Sequence, residues 1–243
     1  MSVEFFKPRE SEKTLSELAG DKLDFLLGET KKRGSEVLLL LSGGSSLSLL
    51  SEVNPSSLNS RTTVTVLDER YSSDPMVNNM AQIMETDFYK KSKALGVQVI
   101  DTRVKNNETR DELAQRFNEG LIDWLAKNQD GVIIATIGMG PDGHISGIMP
   151  FSEDPEKFRD LFDNGNENNL VVGYDVGDKN PYSQRVTTTM NMLRRINKAV
   201  AYISGENKRS AWSRLTASEG SLAATPARIL NEITGDVFVF TDL

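Results

Sequence analysis

Val132-Ile133-Ile134-Ala135-Thr136-Ile137 runs directly into Gly138-Met139-Gly140-Pro141-Asp142-Gly143-His144. Six apolar or β-branched residues without alternation suit a strand buried on both faces, as in a parallel sheet covered by helices. A glycine-rich turn follows, with Pro141 presetting φ and Gly143 tolerating the bend. Open α/β sheets bind ligands beyond the carboxyl ends of their strands, so this turn falls where such folds keep their chemistry. His144 is the only histidine among 243 residues. Neutral imidazole accepts a proton near neutral pH, and a carboxylate such as Asp142 can orient it and stabilise its cation. Gly-Pro-Asp-Gly is also an ordinary β-turn, so the meaning of the segment depends on its surroundings.

On either side of this strand, strand and helix signals alternate. Short apolar runs stand at Glu36 to Leu41, Thr62 to Leu67, Val97 to Ile100, Leu170 to Val172, Ala199 to Ile203 and Val237 to Phe240. Between them, Thr14 to Lys32 places Leu15, Leu18, Leu23 and Leu26 at helical spacing. Thr109-Arg110-Asp111-Glu112 has the form of a capping box opening a helix with Leu113, Phe117, Leu121, Trp124 and Leu125 on one stripe. Glu206 to Leu215 and Leu222 to Ile233 read as two late helices. The alternation predicts an α/β fold: one Rossmann-like domain over residues 1–243, with a mostly parallel sheet and helices on both faces. Asp163 to Asn169 is the most polar stretch and is expected to be an exposed loop.

Hydrophobic residues at 38% and charged residues at 26% suit an ordinary globular chain. No stretch reaches the ~18 apolar residues of a membrane span. Residues 1–7 lack the basic start and apolar core of a secretion signal, and a cytoplasmic protein without membrane contacts is expected. The absence of cysteine excludes disulfides and thiol catalysis, and one histidine excludes a multi-histidine zinc site within the chain. No metal or cofactor is expected. A net charge of −7 with no dense Lys/Arg run argues against nucleic acid as a partner. An anionic small molecule would therefore need a local cationic pocket.

Four further segments have the chemistry for one. Ser42-Gly43-Gly44-Ser45-Ser46 follows the first strong strand and precedes Leu47 to Leu50, where backbone amides and hydroxyls can hold a phosphate. It is not a Walker loop, because the Gly-Lys-Ser/Thr element is missing. Asp68-Glu69-Arg70 stands at another strand's end, where the plain alternative is a surface ion pair of little energy. Gln184-Arg185-Val186-Thr187 and Gly205-Glu206-Asn207-Lys208 complete the set. Lys208 falls near a predicted helix start, where a cation opposes the dipole unless an anion binds nearby.

Taken in order, Gly-Gly-Ser-Ser, Asp-Glu-Arg, Gly-Met-Gly-Pro-Asp-Gly-His, Arg-Val-Thr and Gly-Glu-Asn-Lys resemble the family of 6-phosphogluconolactonases and glucosamine-6-phosphate deaminases. The resemblance spans most of the chain and implies a modified Rossmann-like fold with its site at the strand carboxyl ends. The lactonase branch is the nearer one. Deaminases carry a catalytic Glu five residues after the His, where this chain has Met149, and usually an aromatic residue where Arg70 stands. Leu47 stands where family members often have Pro, Pro141 replaces a common Glu, and the loop from Tyr71 to Asn79 is shorter than the usual lactonase pattern.

The resemblance implies a hydrolase that opens 6-phosphoglucono-δ-lactone to 6-phosphogluconate in the pentose phosphate pathway. His144 would activate water and Asp142 would orient it. Gly43, Gly44, Ser45 and Ser46 would supply substrate contacts, Arg185 and Lys208 would hold the phosphate with Arg70 sharing that role, and Asp68 would support them. The alternatives are a glucosamine-6-phosphate deaminase/isomerase and a non-catalytic sugar-phosphate-binding protein. The expected partner is a small sugar phosphate, and the expected state a monomer or small homo-oligomer.

Overall fold

The computed structural model describes residues 2–6 and 13–243. Seven strands form one fully parallel sheet: β1 (Ser2–Phe6), β2 (Val37–Leu41), β3 (Thr62–Val66), β5 (Gln98–Val99), β6 (Val132–Gly138), β9 (Lys198–Ile203) and β10 (Asp236–Thr241). Their spatial order is β1-β10-β9-β6-β2-β3-β5. The chain builds outward from β2 through β3 to β5, then returns to the other side of β2 with β6 and continues outward again. The order therefore reverses between β2 and β6, and ligands bind α/β sheets at such a point. All five residues of β2 are buried, as a central strand covered on both faces requires.

Helix α1 (Leu15–Lys32) packs on β6, β9 and β10 through Ala19, Leu23, Leu26 and Leu27. Thr14 and Glu17 close its first turn as a capping box, and Lys31 and Lys32 sit in its last turn. Two short helices, α2 (Asn79–Glu85) and α3 (Asp87–Ala94), follow β3, and α4 (Arg110–Lys127) opens on the expected Thr109–Glu112 box. The remaining helices are α5 (Pro155–Phe162), α6 (Met190–Leu193) and α7 (Arg209–Thr216). Among the described residues, no helix is long and apolar enough to cross a membrane.

A second sheet gives the site its other wall. Strands β4 (Asp68–Arg70), β8 (Gln184–Thr188) and β7 (Val171–Asp175) pair antiparallel in that order. Chain segment β4 leaves β3 after a single residue, Leu67, so the main sheet hands its chain straight to the small one. Helix α4 packs on β7 and β8 through its apolar stripe, and Asn118 on α4 accepts from the amides of Leu170 and Val171 at 2.8 and 3.0 Å.

Two expectations are corrected. Leu170 to Val172 is not a parallel strand of the main sheet but the start of β7 in the antiparallel one. Leu222 to Ile233 is not a helix: only a 3-10 turn over Pro226–Asn231 forms. Pro226 disfavours helical geometry in the residue before it, and Thr225 stands outside the helical region with φ −145° and ψ 86°. Residues 164–168 are exposed, as their polarity suggested.

Candidate active site

The strand of β6 delivers its turn to the crevice between β2 and β6. Gly140 N–H donates to the His144 carbonyl at 2.9 Å and Gly143 N–H to the Gly140 carbonyl at 3.1 Å, which folds His144 back over Gly140. A Cβ on Gly140 would run into the His144 ring, so only glycine permits this approach. Asp142 Oδ1 meets His144 Nδ1 at 2.6 Å and also accepts the His144 amide at 3.1 Å. The contact assigns the proton to Nδ1, leaving Nε2 as the basic nitrogen. Burial pushes the Asp142 carboxyl up, but its hydrogen bonds to the His144 ring and amide outweigh this and hold it below its ordinary value. From α7, Arg214 donates to the Asp142 carbonyl at 2.8 Å and braces the turn.

His144 opens into a cavity of about 300 Å³, at the small end of ligand sites. Its floor is residues 42–45 beyond β2 and residues 138–140 at the end of β6. Its far wall is the small sheet: Asp68 and Arg70 from β4, Arg185 from β8, and Asn180 to Tyr182 from the β7–β8 connection. Asn79 at the start of α2 and Ser146–Gly147 complete it. Gly147 has φ 70° and packs so closely on the Asp68 side chain that a Cβ there would collide with it.

The small sheet pairs Arg70 directly with Arg185, and Asp68 with Thr187. Like charges opposite one another destabilise a sheet, and here the repulsion is only partly met. Arg185 is 4% exposed; its Nη1 lies 3.3 Å from Asp68 Oδ2 and its Nη2 3.0 Å from Asn180 Oδ1. Arg70 stacks on the Tyr182 ring at 4.9 Å. Four lining side chains keep a buried polar atom with no hydrogen-bond partner: Arg70 Nε, Arg185 Nε, Asn79 Oδ1 and Ser146 Oγ. Such atoms are rare in finished interiors. Here they surround a cavity with two cations.

The fold thus brings together Gly43, Gly44, Ser45, Asp68, Arg70, Asp142, His144 and Arg185. Ser46 turns inward instead, 1% exposed, with its hydroxyl near Gly138 and unpartnered. Lys208 stands at the carboxyl end of β9, one strand beyond β6, and does not line the cavity. Burial lowers its pKa while Asp242 raises it. Its expected helix start is a 3-10 turn, Glu206–Lys208, and α7 begins one residue later. Sequence reading did not single out Tyr182, Asn180 or Ser146. Asn180-Pro181 carries a turn signal, but only the pairing of β7 with β8 brings that turn to the cavity. Of the two adjacent asparagines, Asn78 caps α2 by accepting the Ala81 amide, and Asn79 lines the cavity.

Fold and site together define an open α/β protein whose switch-point crevice joins a His–Asp pair to two opposed guanidinium groups. The chain belongs to the family of glucosamine-6-phosphate isomerases/6-phosphogluconolactonases, whose profile matches residues 10–239. A Dictyostelium discoideum protein described as a probable 6-phosphogluconolactonase is 25% identical over 204 residues, covering 82% of this chain and 81% of its own. The fold is that of the crystal structure of a 6-phosphogluconolactonase from Shewanella baltica OS155 (TM-score 0.73, 21% identity, covering 99% of this chain and 97% of that one). A 6-phosphogluconolactonase from Plasmodium vivax is similar (TM-score 0.72, 15% identity, 98% and 90% covered).

Proposed function

We propose that this chain is a 6-phosphogluconolactonase, hydrolysing 6-phosphoglucono-δ-lactone to 6-phosphogluconate as a step of the pentose phosphate pathway. The observation that carries the reading is the His144–Asp142 pair sharing one cavity with Arg70 and Arg185. A second proton-transferring carboxylate, which the isomerase branch needs, is lacking at Met149. That residue is fully buried, and its amide donates to the Tyr174 hydroxyl at 3.1 Å. Asp68, the carboxylate that does reach the cavity, is paired with Arg185.

In this mechanism His144 Nε2 takes a proton from water as the oxygen attacks the lactone carbonyl carbon. Asp142 stabilises the resulting imidazolium. Amides of the Gly43–Ser45 turn or a cavity guanidinium receive the oxyanion. Collapse breaks the ring C–O bond, and the imidazolium returns its proton to the departing ring oxygen. Arg185 and Arg70 hold the phosphate from the cavity wall; Lys208 lies outside that lining, at the end of β9, and is proposed as a further phosphate contact on the family resemblance alone.

The test is hydrolysis of freshly prepared 6-phosphogluconolactone, coupled to oxidation of the product. Wild type should be active and His144→Ala slower by at least ~10²-fold. Ammonia release from glucosamine 6-phosphate at a comparable rate would move the chain to the isomerase branch. Inactivity on both substrates would leave a binding protein.

A further inference from the structure

We infer that Glu69, which does not reach the cavity, is a positioning residue that sets the Arg70 and Asn79 walls through its ionised carboxylate. The inference rests on the lactonase reading above for its kinetic readout.

Alternation along β4 sends Asp68 and Arg70 to the cavity and Glu69 to the opposite face, where it is fully buried. There its two oxygens accept four hydrogen bonds. Oε1 takes the amides of Arg70 at 2.8 Å and Asn79 at 2.6 Å. Oε2 takes the Met80 amide and the Thr102 hydroxyl, both at 3.0 Å. One carboxylate therefore ties β4, the first residues of α2 and the segment after β5 into a single unit.

Two of those donors are the backbone of cavity residues. Asn79 is held so that its Nδ2 donates to the Asp68 carbonyl at 2.9 Å, while its Oδ1 remains buried and unpartnered beside Gly43. That oxygen is placed to accept from a sugar hydroxyl. Arg70 is held opposite Arg185. Three of Glu69's four partners are backbone N–H groups that can only donate, so the anion matches this site, and a proton or an amide NH₂ finds an acceptor only at the Thr102 hydroxyl.

Burial pushes the Glu69 carboxyl up to about 7 despite these bonds. No charged side chain bonds to it directly. Its strand neighbours Asp68 and Arg70 turn to the cavity. Asp101, beside Thr102, is engaged by Arg103 and Lys105, and Glu85 at the end of α2 pairs with Lys90. The anionic form that organises the wall is therefore gained close to neutrality.

The experiment compares wild type with Glu69→Gln on 6-phosphogluconolactone from about pH 4.5 to about pH 8, with thermal melts to establish folding. At about pH 8, Glu69→Gln should raise KM about tenfold or more with kcat within about threefold, since binding groups are displaced and the base is not. A fall in kcat at unchanged KM would mean only a lost folded fraction and overturn the inference. The acid limb of kcat/KM should involve one proton fewer in Glu69→Gln than in wild type. Acid limbs of equal steepness in the two proteins overturn it as well. If Glu69→Gln does not fold, Thr102→Val removes a single donor to the anion and should move the steeper limb to higher pH; an unmoved limb overturns the inference. If wild type hydrolyses no lactone, the functional reading fails on its own. Calorimetric binding of 6-phosphogluconate then decides: about tenfold weaker binding in Glu69→Gln is expected, and equal binding refutes the role.

Discussion

Asp142→Asn isolates what the carboxylate charge contributes beside the imidazole. In the structure one oxygen, Oδ1, accepts both the His144 amide and the ring Nδ1–H. Two donors converging on it favour an asparagine that presents its own oxygen there, so the ring keeps its tautomer. What is lost is the charge. A hydrogen bond to a charged group contributes ~1.5–3 kcal/mol and a neutral one ~0.5–1.5 kcal/mol. The difference is ~1–2 kcal/mol, and the carboxylate's side chain, 43% exposed, places the effect toward the lower end through solvent screening. At ~1.4 kcal/mol per tenfold, kcat on 6-phosphogluconolactone should fall roughly tenfold, with KM nearly unchanged because Asp142 is not expected to touch the substrate. Steady-state kinetics at a pH above the acid limb measure this. A variant within about twofold of wild type would refute the pairing as a catalytic device. A fall of ~10⁴-fold would mean that the amide had rotated and reversed the tautomer.

Gly140→Ala should fold yet lose at least ~10²-fold in kcat, because its methyl displaces the His144 ring; a melt unchanged within a few degrees together with full activity would contradict the packing argument. Lys208→Ala should lower kcat/KM for the phosphorylated lactone by roughly 10–100-fold and barely change hydrolysis of unphosphorylated gluconolactone, whereas equal losses on both would exclude a phosphate contact. For stability, Glu69 binds its proton more tightly in the fold, at about 7, than its ordinary value of 4.5. Its stabilising contribution is therefore fully present below about 4.5 and is lost as pH rises through about 7, on the order of 3 kcal/mol. Urea midpoints should show this decline in wild type and a flatter profile in Glu69→Gln.

Apolar and β-branched runs made β2, β3, β6, β9 and β10 legible in the sequence, because strands covered on both faces carry few strongly polar side chains. The same logic misassigned Leu170 to Val172. A short run does not say which strand it will pair with, and β7 is matched instead to β8 and seated on α4. Pro226 is the residue of the 222–233 segment that opposes a helix there. The His144–Asp142 pair could be read because its members are two residues apart on one turn. The opposition of Arg70 and Arg185 could not, since it depends on antiparallel register between distant strands. The inward turn of Ser46 and the burial of Glu69 likewise depend on which face each backbone presents.

The small sheet ties catalytic competence to completion of the fold. Its wall depends on a contact between residues 117 positions apart, Asp68 and Arg185, and bringing such distant segments together is the slow, entropically costly part of chain organisation. A chain with β8 undocked keeps the local hydrogen bonds between Gly140, Gly143 and His144 but lacks the guanidinium wall. Such a species has a base without a binding wall, and its Asp68 and Arg70 face water. Turnover in this protein thus requires that long-range pairing, and a small anion bridging the two guanidinium groups would hold it closed and act as a ligand-borne clasp on the finished fold.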